Sequence, residues 1–110
     1  MPRFGKYGVS AKEHRTLDGI TFASKREMIR YQELRISERA GIISGLRLQP
    51  RYPLVVKDVK VCTYVADFAY LDSKQQPCIE DVKGMQTPMY KLKKKLFSVC
   101  YPDLRITEIL

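Results

Sequence analysis

The run Tyr64-Val65-Ala66-Asp67-Phe68-Ala69-Tyr70 sets an ionisable aspartate in the middle of an apolar, strand-like stretch, and that residue narrows what the chain can become. Removing an ionised carboxylate from water costs several kcal/mol in practice unless a cation or hydrogen bonds compensate. Further on, Pro77-Cys78-Ile79-Glu80-Asp81-Val82-Lys83 reads as a second strand, whose alternate side chains point to opposite faces, so that Asp81 and Lys83 project together with Ile79. The turn-rich stretch Asp72-Ser73-Lys74-Gln75-Gln76-Pro77 makes the two strands neighbours, and Gly84 ends the second. Two carboxylates and one ammonium therefore converge. This donor set suits Mg²⁺ (or Mn²⁺), a hard cation that takes one or two carboxylates and fills its shell with water and phosphate oxygens. Such an ion polarises a phosphodiester and activates a water, while the ammonium offsets charge building on the phosphorane. The expected chemistry is phosphodiester hydrolysis. The plain alternative is an edge decoration, because a D…D-x-K pattern arises by chance in a chain with 29% charged residues.

Charge points to the same class of partner. Twenty Lys and Arg against twelve Asp and Glu give a net charge of +8, which favours an anionic polymer, with DNA the first candidate. At 110 residues the chain is expected to form one domain over residues 13–110 behind a basic, flexible segment at residues 1–12. A domain of this size buries only about two-thirds of its unfolded surface, so a homodimer would add to its stability. Cys62, Cys78 and Cys100 are far apart, without C-x-x-C spacing, and His14 is the only histidine, so neither a disulfide framework nor a zinc site is indicated. No stretch approaches the ~18 consecutive apolar residues of a membrane span, and no signal-peptide core is present, so a cytoplasmic protein without a membrane partner is expected.

Local signals order the elements. Leu17-Asp18-Gly19 between the β-prone runs Glu13 to Thr16 and Ile20 to Ala23 predicts a hairpin. Ser24-Lys25-Arg26-Glu27 opens a helix as a capping box, and the helix runs to Ala40 with Gly41 ending it. At 100° per residue Glu27, Tyr31, Leu34 and Glu38 share one face, whereas Ile29, Glu33, Ile36 and Ala40 share the other, so Glu27 and Glu33 do not easily serve one site. Leu46 to Gln49, Tyr52 to Val56 and the long run Lys60 to Leu71 predict a curved antiparallel meander broken by Pro50 and Pro53. Gln49 reads as a strand cap in preference to a group that orients water. Thr87-Pro88 begins a second helix with Met89, Leu92, Leu96 and Val99 as its expected core stripe and Lys91, Lys94 and Lys95 gathered on another side, where they could contact phosphate. Tyr31 and Tyr90 are expected to pack in the core. Leu104 to Ile109 reads as a last strand.

Together these residues resemble a known superfamily. Ser24-x-x-Glu27 at a helix start, Ala66-Asp67-Phe68, Glu80-Asp81-Val82-Lys83-Gly84 and the Lys-rich helix are similar to the PD-(D/E)xK nucleases. More narrowly, Lys6-Tyr7-Gly8, Asp18-Gly19-Ile20-x-Phe22, Ser24-Lys25-x-Glu27, Leu48-Gln49-Pro50, Tyr64-x-Ala66-Asp67-Phe68 and Tyr90-Lys91-Leu92-Lys93 resemble short phage and prophage endonucleases of Holliday-junction-resolvase-like type. The resemblance implies an α/β (α+β) restriction-endonuclease-like fold, a mixed β-sheet core flanked by helices. It implies Asp67, Asp81, Lys83 and Glu27 as catalytic residues, with Asp67, Asp81, Glu27 and Val82 around the metal. Ala66 stands where the superfamily pattern has proline, and Glu80 beside Asp81 is a rival ligand, so Glu27, Glu33 and Glu80 remain alternatives for completing the shell. The competing class is a non-catalytic, basic nucleic-acid-binding module whose acids form internal ion pairs; an RNA-processing nuclease would share the chemistry.

Overall fold

The structure, a computed structural model, describes residues 10–110. Lys6-Tyr7-Gly8 and most of the basic segment expected over residues 1–12 lie outside the described residues. A 3-10 turn, Lys12–Arg15, is followed by β1 (Thr16–Leu17), β2 (Ile20–Thr21), α1 (Lys25–Arg39), β3 (Ser44–Leu48), β4 (Arg51–Val56), β5 (Val59–Val65), β6 (Phe68–Leu71), β7 (Pro77–Val82), α2 (Pro88–Cys100) and β8 (Ile106–Ile109). The fold is α+β. Its centre is a mixed four-stranded sheet in the order β3-β6-β7-β8, antiparallel except for the parallel β7–β8 pair that α2 connects. Among the described residues no helix is long and apolar enough to cross a membrane.

Local chemistry accounts for the hairpin and both helix starts. Asp18 and Gly19 both hold positive φ, 53° and 77°, the twist a two-residue turn needs to match its strands. Its first arm is shorter than the expected Glu13 to Thr16, because Arg15 turns back to donate to the Ser10 and Phe22 carbonyls and Lys12–Arg15 coil instead. The Ser24 hydroxyl accepts the Glu27 N–H at 3.1 Å, and the Thr87 hydroxyl accepts the Tyr90 N–H at 3.1 Å ahead of Pro88. Gly41, at φ 78°, takes the left-handed turn just beyond α1.

The meander expected from Lys60 to Leu71 is not one strand. It breaks at Ala66-Asp67: β5 pairs only with β4 in a separate two-stranded ribbon, whereas β6 enters the central sheet between β3 and β7. Two corners tied to each other impose the break, with the Gln49 N–H donating to the Asp67 carbonyl at 2.9 Å and the Ala66 N–H to the Pro50 carbonyl at 3.1 Å. Pro50, which has no N–H, ends the β3 ladder there.

The core lies on both faces of the sheet. On one, α1 and the β1–β2 hairpin bury Phe22, Tyr31, Leu34 and Ile43 against Phe68. On the other, α2 and the ribbon bury Leu54, Tyr64, Phe97 and Tyr90 against Ala66 and Ile79. The stripe expected on α2 is corrected here. Met89, Leu92 and Val99 are 60%, 55% and 68% exposed, and the buried residues are Tyr90 and Phe97. Aromatic rings bury more apolar surface than Met or Val, so the helix turns Phe97 inward to meet Tyr52, Tyr64 and Tyr101 at centroid distances of 5.3, 5.4 and 5.0 Å.

Candidate functional site

The corner between β5 and β6, the end of β7 and the first turn of α1 meet at one end of the sheet. Asp67 sits on the corner, its carboxylate accepting the Val82 N–H at 2.7 Å. Its own N–H donates to the Asp81 carboxylate at 3.2 Å. Asp81, 1% exposed, also accepts the hydroxyl of Tyr64. Lys83, two residues along β7's direction, brings its ammonium to 4.0 Å from Asp81 and 4.0 Å above the centroid of the Tyr90 ring. The strand alternation that pairs Asp81 with Lys83 therefore holds past the last residue of β7.

Glu27 joins them from α1. Only half of the expected capping box is seen: Ser24 caps the helix, while no hydrogen bond to the Glu27 carboxylate is found among the described residues. Glu27, a residue only 6% exposed, instead lines a cavity of about 160 Å³ with Asp67, Gln49, Leu48, Ile20, Thr21 and Phe22. Burial, then the neighbouring Asp67 and Asp81, push the Glu27 carboxyl up to about 7, against the opposing pull of Lys83. Burial raises Asp81 to about 6, with Lys83 and the Asp67 N–H working against it. Burial also raises Asp67, opposed by the Val82 N–H and Lys83. Three carboxylates share one end of the sheet, with the Lys83 ammonium beside Asp81.

Such oxygens have the chemistry of a hard-cation site, and Glu27, whose carboxylate accepts no hydrogen bond among the described residues, is the donor with most to gain from an ion. As folded they do not enclose one: among the described residues no three Asp, Glu, His or Cys side chains stand in metal-holding geometry. Asp81 is taken up by Tyr64 and the Asp67 N–H, and Val82 meets the group through its N–H on Asp67. Binding an ion would require these carboxylates to turn toward it.

The rival acids are elsewhere. Glu80 points to the opposite face of β7, where Arg30 grips both its oxygens at 2.7 Å and Tyr70 donates its hydroxyl. Glu33, on the outer face of α1, pairs with the same Arg30 at 2.9 Å. The lysines of α2 also divide. Lys91 and Lys95 are exposed, but Lys94 pairs with Glu108 at 2.9 Å, and Glu108 is held below its usual carboxylate range by the Tyr90 hydroxyl and Lys94. Lys93 donates to the Thr63 carbonyl at 3.1 Å. Lys91, Lys94 and Lys95 nonetheless line one open groove of about 540 Å³ with Gln86, Leu92 and Ser98.

Tyr64 and Arg30 escape sequence reasoning. Tyr64 stands three positions before Asp67 in the same apolar run, which reads as core, and the contact between Arg30 and Glu80 joins residues fifty positions apart. Residues 5–110 match the family described as "Protein of unknown function (DUF1064)". No curated protein and no solved structure matches the chain.

Proposed function

Since the chain belongs, across residues 5–110, to the DUF1064 family of unknown function, we propose its activity from its own side chains: a metal-dependent DNA endonuclease of PD-(D/E)xK type. The observation that carries the reading is the gathering of Glu27, Asp67 and Asp81, all raised above their ordinary carboxylate range, at one end of a mixed sheet beside Lys83. Burial raises all three, Glu27 is pushed further by Asp67 and Asp81, and a cation would relieve both effects. Asp67, Asp81 and Glu27 are the residues that would hold Mg²⁺ or Mn²⁺, and a bound ion would polarise the phosphodiester and supply an activated water. Lys83, steadied between Asp81 and the face of Tyr90, is aimed to meet the negative charge that develops on the phosphate. Lys91 and Lys95, exposed on α2 and unpaired among the described residues, follow the DNA backbone, with Lys94 joining them once released from Glu108.

The proposed setting is phage or prophage DNA recombination or processing, with branched DNA as one substrate, in the cytoplasm of a bacterial or phage-infected cell. Two paired cuts at a junction call for a homodimer. The test is incubation of labelled linear and branched DNAs with Mg²⁺ or Mn²⁺, with and without EDTA. Asp67→Asn and Asp81→Asn are expected to abolish cleavage while leaving DNA binding largely intact; cutting retained by either variant rejects the assignment.

One observation favours a second reading, the silent nucleic-acid-binding module: Asp81 already has Tyr64 and the Asp67 N–H as partners. Salt dependence of binding is steep under both readings, so the EDTA arm separates them.

A further inference from the structure

Gln49 is held at φ 50°, a left-handed conformation that L side chains adopt rarely. Four other non-glycine described residues share it, and each is explained by a turn between paired strands: Asp18 in the β1–β2 hairpin, Lys57 and Asp58 between β4 and β5, and Gln75 between β6 and β7. Gln49 lies in none of these. It occupies the corner between β3 and β4, where its backbone N–H alone makes the bond to the Asp67 carbonyl. Glycine would adopt that conformation without strain and make the same bond.

The side chain therefore needs its own account. Gln49, itself an exposed residue, is one of those lining the 160 Å³ cavity in which Glu27 and Asp67 are the charged residues, with apolar walls from Ile20, Phe22 and Leu48. Carboxylates only accept hydrogen bonds, whereas a primary amide both donates and accepts. Mg²⁺ and Mn²⁺ held by a few carboxylates keep several waters, and those waters need acceptors, while any carboxylate oxygen left off the ion needs a donor.

We infer that Gln49 is a positioning residue of this cavity, its amide anchoring the water shell of a divalent ion held by Glu27 and Asp67. The inference rests on the nuclease reading, and its test separates the two. Mn²⁺ is titrated calorimetrically, without DNA, into the full chain carrying Gln49→Gly or Asp67→Asn, and the metal-free thermal midpoint of each is measured. Gln49→Gly is expected to weaken Mn²⁺ binding at least about tenfold, the usual effect of losing a residue that orients a metal's inner ligands, with a metal-free midpoint equal to or above that of the parent. Unchanged Mn²⁺ affinity in Gln49→Gly overturns the inference. So does a lowered midpoint, which would assign the side chain to the fold. If the parent binds no Mn²⁺, or Asp67→Asn binds it as tightly, the nuclease reading fails and takes this inference with it.

Discussion

Replacing Glu27 by glutamine separates stability from function at one atom. The folded protein holds the Glu27 carboxyl at about 7 against an ordinary 4.5, through burial and the facing Asp67 and Asp81, with Lys83 opposing. At 1.36 kcal/mol per tenfold change in proton affinity, that difference corresponds to about 3 kcal/mol. Because the folded state binds the proton more tightly than the unfolded chain, it holds more protons between pH 4.5 and 7, and stability falls as pH rises through that window. Below it both states are protonated and nothing is lost; above it the folded protein carries the whole penalty. Glu27→Gln, neutral and nearly isosteric, removes the penalty. In EDTA at pH 8 the variant is expected to be more stable than the parent by about 2–3 kcal/mol, or roughly 10 °C in thermal midpoint for a domain of this size. At pH 4 the two should coincide. Saturating Mn²⁺ should then raise the parent's midpoint far more than the variant's, by linkage. Thermal melts across pH, followed by circular dichroism, read all of this. A variant no more stable than the parent at pH 8, or shifted equally at both pH values, would refute the electrostatic argument.

Three further outcomes follow from the same contacts. Glu80→Ala leaves Tyr70 and one side of Arg30, which keeps Glu33, facing a vacated position and should cost about 1–3 kcal/mol in urea unfolding, yet the folded fraction should still bind Mn²⁺ like the parent; lost binding would return Glu80 to the site. Lys91→Ala and Lys95→Ala should each flatten the slope of log K against log [salt] for duplex DNA by about 0.9, whereas Lys94→Ala should do less because Glu108 already neutralises it; three equal changes in an anisotropy titration would contradict the division. Phe97→Ala should cost about 3–5 kcal/mol and Leu92→Ala under about 0.5 kcal/mol, and the reverse order in chemical denaturation would restore the apolar stripe first expected on α2.

What the sequence made legible is what depends on near neighbours. The Ser24 and Thr87 caps, the Asp18-Gly19 turn and the shared direction of Asp81 and Lys83 each follow from spacings of a few residues. The facing of α2 was not legible, because Met89, Leu92, Leu96 and Val99 and the pair Tyr90 and Phe97 both recur at helical spacing. Tyr52 on β4 and Tyr64 on β5, brought in by other elements, decide between them. The break at Ala66-Asp67 escaped for the same reason: the bonds that impose it come from Gln49 and Pro50. Glu27's direction was half legible, since its backbone belongs to the cap and its carboxylate to the cavity.

Adjacent acids on β7 answer to opposite sides of the sheet, Glu80 to Arg30 and Asp81 to Tyr64 and Asp67. Side chains on a strand alternate, so sliding β7 by a single residue, with Ile79 in the place of Glu80, would strand Arg30 opposite an apolar neighbour and set Glu80 where Asp81 now meets Asp67. The grip of one arginine on one glutamate thus acts as an indexing pin for the strand. The carboxylates on the far surface stay in alignment through an ion pair to which they do not belong.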